Sequence, residues 1–447
     1  MENTHELTRI DSSHGRKPDD ARSRSARGHM RARSWHGRAG FTALVGAAVA
    51  AAALGGPLPP VPVPTENPIT EPKRILGKLL FWDEQLSSDD SVACGTCHIP
   101  AFGGADPRAG KYPGTDAGTI DDVRGSPGIV SLDPDGRPRA HPVFGFDRQI
   151  TPRLSLSIFG ALWADELFWD GRAGATFIDP ETGGVAITRG GALELQTLTA
   201  LANDAEMAKQ NRTWRELTTK LSRRRPLALA SDIPADLVDA VESGSYPSLF
   251  AAAFGDPTIT AQRIAFAIAT YERTLVADQT PWDRFAAGDT NAMNEQERRG
   301  WRDFQSFLCV NCHEPPLFTN NDFANIGLRL SRFDGGRMDV TGEPEDAGEM
   351  KVPSLRNVGL RPRYMHTGQF DNLGAAVGFY ARSAPLEERD RIPGGGIYSF
   401  NMGSLSEADI TAFLKNALTD PRVRDERFPF DRPTLRSERD ASLTQHE

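Results

Sequence analysis

Four cysteines occur in this chain, and all four sit in one arrangement used twice: Cys94-Gly95-Thr96-Cys97-His98 and Cys309-Val310-Asn311-Cys312-His313. Cys-x-x-Cys-His is the spacing of covalent c-type haem attachment. Two thiols add to the two vinyl groups of one haem, and the adjoining histidine reaches the iron from one face as its proximal ligand. Two other readings compete. A zinc site could draw on four thiols and two imidazoles, but zinc ribbons rarely set a histidine directly behind the second cysteine in both halves. A redox dithiol asks for a βαβ pattern around one motif, and none is visible. The sequence therefore predicts two covalently bound haem c groups. Cys94, Cys97, Cys309 and Cys312 attach them, with His98 and His313 as iron ligands.

Histidine usage narrows the rest of the coordination. The chain has nine histidines. His5, His14, His29 and His36 fall near the N-terminus, and His98 and His313 are already assigned. That leaves His141, His366 and His446, the last next to the C-terminus. At most two histidines, His141 and His366, are then left to serve as distal ligands or acid–base groups, so the sequence leaves open an iron with a non-histidine distal partner, or with none.

The chain is 447 residues long, enough for two or three ordinary domains. A net charge of -9 argues against nucleic acid as a partner, and beyond the N-terminus the longest basic run is Arg223 to Arg225. The first forty residues are polar and Arg-rich and are expected to be disordered. The apolar run 39–56 then reads as a secretory signal cleaved near Ala51 to Gly56. Its long basic lead leaves an uncleaved anchor open as the other reading. The expected location is the periplasm or beyond, with a membrane tether as the alternative. "PLPPVPVPTENP" reads as a stiff linker.

Apolar periodicity beyond residue 70 is helical. Ile264, Ile268, Tyr271 and Leu275 form one stripe. Asn294 is placed to cap a helix with Trp301, Phe304 and Leu308 on one face, leading into the second motif. Ser406 and Asp409 give a capping signature before Ile410, Phe413, Leu414 and Leu418. Asp420-Pro421 ends that helix. No segment alternates with period two for long. The expected fold is all-α, with two cytochrome c-like domains, one haem each, and long loops. The expected divisions are leader 1–56, Pro-rich linker 57–73, N-terminal domain 74–287, C-terminal domain 288–425 and polar tail 426–447.

Several stretches resemble, in order, the di-haem bacterial cytochrome c peroxidases and their MauG relatives. They include "LGKLLFWDEQLSSDDSVACGTCHIPAFGGAD", "FWDGRAG", "YERTLVADQTPWDRFAAGD", "KVPSLRNVGLRPRYMHTGQFDNLGAAVGFY" and "LSEADITAFLKNAL". The resemblance covers most of residues 74–418. It implies a peroxide site at the N-terminal haem and an electron-transfer site at the C-terminal haem. Glu206 matches the family's distal acid and Gln196 its distal glutamine, although Ala200 and Asp204 stand where prolines are usual. Without the resemblance Glu206 would read as an ordinary surface carboxylate. Trp169 matches the tryptophan between the haems, and Arg356 a propionate partner.

Tyr380 falls where peroxidases carry a distal methionine and MauG-like members a tyrosine. Met350, Met365 and His366 are rival ligands. The loop after the first motif lacks the histidine that often blocks the peroxide site at rest, so that site is either open or reached by His141. Leu154 occupies the position of a calcium-ligating asparagine, which makes an inter-haem calcium doubtful, since leucine offers no hard oxygen.

Three functions follow in order of preference. The first is an exported peroxidase that reduces hydrogen peroxide with electrons from a small cytochrome c or cupredoxin. The second is a MauG-like oxidase acting on side chains of a partner protein. The third is a di-haem electron carrier. Homodimerisation is left open by the sequence.

Overall fold

The helical periodicity is realised close to where it was expected. In the computed structural model residues 56–115, 119, 121–381 and 402–444 are described. The expectations of a disordered leader, a signal or an anchor lie outside those residues, apart from Gly56. Among the described residues no helix is long and apolar enough to cross a membrane. The helices that organise the chain are α1 (Glu71–Phe81), α2 (Ala192–Ala202), α3 (Tyr246–Phe254), α4 (Ala261–Glu272), α5 (Glu295–Ser306), α6 (Leu373–Ala381) and α7 (Ser404–Ala412). The chain is mostly helical rather than purely so, at 37% helix and 9% strand. The strands form two-stranded antiparallel ladders that fasten the long loops.

One hydrophobic core is built by α1 to α4. Leu76, Leu79 and Leu80 of α1 meet Ile264, Ile268 and Tyr271 of α4, all essentially inaccessible. The predicted stripe is therefore buried, as is nearly all of α4, and Leu275 joins it just past the helix end. Gly77 sets how closely α1 and α4 approach, because an added Cβ would overlap the Ala267 carbonyl. That neighbour is backbone and cannot rotate away. Gly77→Ala is expected to destabilise the protein by roughly 3 kcal/mol, as overpacking does, despite alanine's better helix propensity. A lowered thermal midpoint checks this.

A second core gathers aromatic rings. Trp282, Trp301, Phe304, Phe318 and Phe413 pack edge-on or tilted except for Trp301 stacked on Phe304, with the Trp282 and Trp301 centroids 4.5 Å apart. Gly300 of α5 plays the role of Gly77 here, because a Cβ would overlap the Asp409 carbonyl on α7. Asn294 caps α5 as expected, accepting from Glu297 N at 2.9 Å while Glu297 accepts from Asn294 N at 2.9 Å.

Four local expectations are corrected. Leu308 does not continue the α5 stripe; the helix ends at Ser306, Leu308 turns to φ 59° and its side chain is exposed. The α7 helix starts at Ser404 rather than capping at Ser406, and Asp409 is drawn instead to Arg299 of α5 at 2.7 Å. The supposed polar tail carries Phe430 and Leu435, both fully buried in the first core. The end of the linker is also locked in: buried Asn67 donates to Glu194 and to the Phe266 carbonyl, each at 2.9 Å.

Candidate haem and peroxide site

Both motif histidines are held alike. His98 Nδ1 lies 3.1 Å from the Gly104 carbonyl, and His313 Nδ1 lies 3.1 Å from the Phe318 carbonyl. A carbonyl can only accept, so a neutral ring held this way carries its proton on Nδ1 and can offer Nε2 to a metal. That is the tautomer an iron ligand needs, with the ring oriented by its second hydrogen bond. Burial lowers both imidazole pKa values, His313 to about 4, so the rings are neutral at pH 7.

The cysteine chemistry separates the competing readings. Burial pushes the Cys94 and Cys309 thiols up to about 12 and raises those of Cys97 and Cys312. A redox dithiol needs the opposite, a stabilised thiolate. Cys94 packs at the edge of the first core and Cys309 at the edge of the second, so the two motifs do not converge on one zinc. Paired thiols beside an imidazole anchored through Nδ1 fit covalent haem at each motif. Gly95 is needed between the first pair because a Cβ there would overlap the Trp82 ring.

A cavity of about 1000 Å³ opens beside the first motif. It is at the upper end of the roughly 300–1,000 Å³ usual for cofactor and small-molecule sites. Cys94, Cys97 and His98 line it together with Trp169, Gln196 and Glu206. Residues separated by more than a hundred positions thus meet in one space. Helix α2 turns Leu193, Gln196, Thr197 and Ala200 toward the cavity, a helical spacing.

Asn203 then stops the helix and builds the turn that holds Glu206. Its carbonyl accepts from the backbone N–H groups of Glu206, Met207 and Ala208 at 3.2, 2.9 and 2.8 Å. Its side-chain oxygen accepts from Ala205 N at 2.9 Å, and its amide donates to Glu206 Oε1 at 2.7 Å. The turn is therefore set by an asparagine without the prolines expected near Ala200 and Asp204. Burial raises the Glu206 pKa, outweighing the Arg172 guanidinium and the Asn203 bond, which lower it.

Trp169 sits on a pinched loop closed by a bridge between Leu167 and Ala173. Its Nε1 donates to the Leu154 carbonyl at 2.7 Å, and its ring stands edge-on to His366 at 6.0 Å. Its carbonyl accepts from Lys351 N at 2.7 Å, so the loop is tied to segments on both sides of the second motif in sequence. The same loop starts a chain of charges that leaves it: Arg172 to Asp170 at 2.9 Å, Asp170 to Arg153 at 2.6 Å, and Arg153 to Asp334 at 2.6 Å. Arg172 also lies over the Phe168 ring at 3.6 Å.

The remaining candidates fall elsewhere. Tyr380, on α6, is outside the cavity lining; burial raises its hydroxyl pKa, and the Cys309 and Cys312 sulfurs add to the effect, which puts it in the neighbourhood of the second motif. His366 packs beside Trp169, whereas Met365 packs against the second core. Met350 is buried in a short strand.

His141 does not line the cavity. Its Nδ1 accepts from Val143 N at 3.1 Å, which puts the proton on Nε2 and leaves no lone pair there for iron. Leu154 is buried, and its carbonyl is engaged by Trp169. Arg356 is engaged within the protein: its donors go to Asp283 at 2.5 and 3.0 Å and to the carbonyls of Ala277 and Pro316 at 2.9 Å each, so it ties these segments together.

Sequence reasoning missed Asn203 and Arg172. An Asn three residues before an acid is a recognisable turn signal, but the contact of Arg172 with Phe168 and Asp170 depends on the fold.

Three comparisons with known proteins place the chain beside di-haem peroxidases and MauG proteins. Residues 71–291 match the family model described as di-haem cytochrome c peroxidase. The chain is 29% identical over 408 residues to the cytochrome-c peroxidase IdrP1 of Denitromonas iodatirespirans, covering 83% of this chain and 88% of that one. It is 28% identical over 359 residues to the methylamine utilization protein MauG of Methylophilus methylotrophus, covering 80% and 85%. Among solved structures it is similar to a MauG-like protein associated with microbial copper homeostasis, with TM-score 0.59 and 25% identity over 83% of this chain and 96% of that one. The di-haem peroxidase BthA of Burkholderia thailandensis shares the fold, with TM-score 0.55 and 20% identity over 83% and 91%.

Proposed function

Because the chain belongs to the di-haem cytochrome c peroxidase and MauG family, and is a peroxidase-like oxidoreductase, we propose that it reduces hydrogen peroxide in the cavity beside His98. Electrons would enter at the His313 motif from a small cytochrome c or cupredoxin, and the protein would work after export. The observation that carries this reading is the convergence of Glu206, Gln196 and the first motif on one cavity.

A bound haem would supply the iron that takes the peroxide and stores its oxidising equivalents. The chain's own residues do the rest. Glu206, unprotonated, takes a proton from one peroxide oxygen and returns it to the other as the O–O bond breaks. Asn203 fixes the carboxyl for that transfer, and the Gln196 amide is available to orient peroxide. Arg172 adds positive charge beside Glu206. Trp169 supplies an aromatic group on the loop tied to both halves of the chain.

A pH dependence follows from the raised Glu206 pKa. Below it the carboxyl is protonated and cannot accept, so the peroxide reaction speeds up as pH rises through it. The acid limb is expected above the ordinary value of about 4.3 for glutamate, and to vanish in Glu206→Gln. Stopped-flow rates with peroxide across pH check both. Peroxide-dependent oxidation of a reduced small cytochrome tests the overall reading, and no oxidation above the haem-free control would reject it.

The MauG-like reading, oxidation of a partner protein's side chains, is favoured by Tyr380 near the second motif and by the turned-away His141. It differs in that the peroxide-oxidised protein should persist until its partner is added.

A further inference from the structure

Glu272 ends α4 and is 5% exposed, yet it lines the same cavity as Glu206. Its Oε2 has no hydrogen-bond partner. Ile268, one turn earlier, lines the cavity as well, so this face of α4 looks into it. Helix α2, packed against α4, contributes Gln196 to the cavity lining.

The charged neighbours are committed elsewhere. Arg273 is bound to Glu194 of α2 at 2.7 Å, with both side chains buried, and Lys73 of α1 donates to Asn67 at 2.9 Å. Glu272 also bears electrostatically on Cys94, which haem attachment would turn into an uncharged thioether, so no cation is added there. A carboxylate buried without a partner is costly, so Glu272 keeps its proton at neutral pH. Burial pushes its pKa up to about 8; Arg273 lowers it and Glu194 raises it.

The proton requirement of the proposed reaction gives such a group work to do. One peroxide, two electrons and two protons yield two waters. Breaking the O–O bond takes up no net proton, because Glu206 moves a peroxide proton from one oxygen to the other. The second water needs both protons, together with two electrons from the one-electron donor.

We propose that Glu272 is a second proton-carrying carboxyl of this site, supplying protons during the half-reaction that follows O–O cleavage. This rests on the peroxidase reading. Its test is stopped-flow on the full holoprotein, separating reaction with one equivalent of peroxide from subsequent reduction by excess ferrocyanide. In Glu272→Gln the first phase should stay within about twofold of wild type, while the second slows about tenfold or more and its solvent deuterium isotope effect grows. Glu272→Asp, which keeps a carboxyl, should recover most of the second-phase rate. A second phase at wild-type rate in Glu272→Gln overturns the proposal. So does failure of the Asp variant to recover any rate, which would mark a packing role.

If the Gln variant fails to load haem, infrared difference spectra of the wild type and Glu206→Gln decide. A protonated-carboxyl band common to both that changes during the second phase is expected, and its absence overturns the proposal. A wild-type protein inert to peroxide would overturn the peroxidase reading itself and this proposal with it.

Discussion

Glu206→Gln is expected to lower peroxide turnover by about 10²–10⁴-fold, the range general acid–base groups contribute, while both haems remain attached. Gln has nearly the same shape, and its amide oxygen can still accept from Asn203, which now reaches Glu206 at 2.7 Å. The turn should therefore survive, since it is held by backbone bonds to the Asn203 carbonyl that the substitution does not touch. Only the capacity to take and return a proton is lost. Mass and absorbance spectra confirm haem content, and steady-state peroxide consumption gives the effect. Turnover equal to wild type would remove Glu206 from the mechanism and leave it as a cavity-wall carboxyl.

The second large effect is expected at the other motif. Tyr380→Met should raise the reduction potential of the C-terminal haem by on the order of 0.1–0.2 V, a fraction of the roughly 0.8 V that axial ligation spans. A phenol oxygen favours the oxidised metal, whereas a thioether favours the reduced one. Spectroelectrochemical titration of both haems checks this, and the N-terminal haem serves as the internal reference because Tyr380 is outside its cavity. An unchanged potential would mean that Tyr380 packs beside the second motif without ligating.

The two Cys-x-x-Cys-His motifs were legible in the sequence because each is contiguous: five residues carry both thiols and the imidazole. The helices were legible wherever apolar residues recur at helical spacing, as with Ile264, Ile268 and Tyr271. Features that depend on chain ends or on distant partners were not. Leu308 fits the periodicity of α5, but the helix stops two residues earlier to enter the second motif. Asp409 has the sequence position of a capping residue, yet Arg299 on another helix claims it. Arg356 looks like a free cation in the sequence, and only the fold brings Asp283 to it. The buried anchors Phe430 and Leu435 are isolated apolar residues in a charged stretch, with too little periodicity to announce a return to the first core.

The candidate site shows the same division. Glu206, Gln196 and Trp169 were matched by resemblance, and the fold brings them into one cavity with Cys94, Cys97 and His98. Glu272 gave no such signal, because it belongs to a helix whose pattern reads entirely as core. Its position on the cavity wall appears only when α4 is packed against α1 and α2.

The most direct test of the account is electron paramagnetic resonance with optical absorption on the as-purified holoprotein, before and after one equivalent of peroxide. A high-spin haem is expected at rest, because His141 turns its Nδ1 to backbone donors and leaves the His98 cavity open. That signal should be lost on adding peroxide and should return when a one-electron donor is supplied. Two low-spin haems whose spectra ignore peroxide would contradict it, and would make the protein an electron carrier rather than a peroxidase.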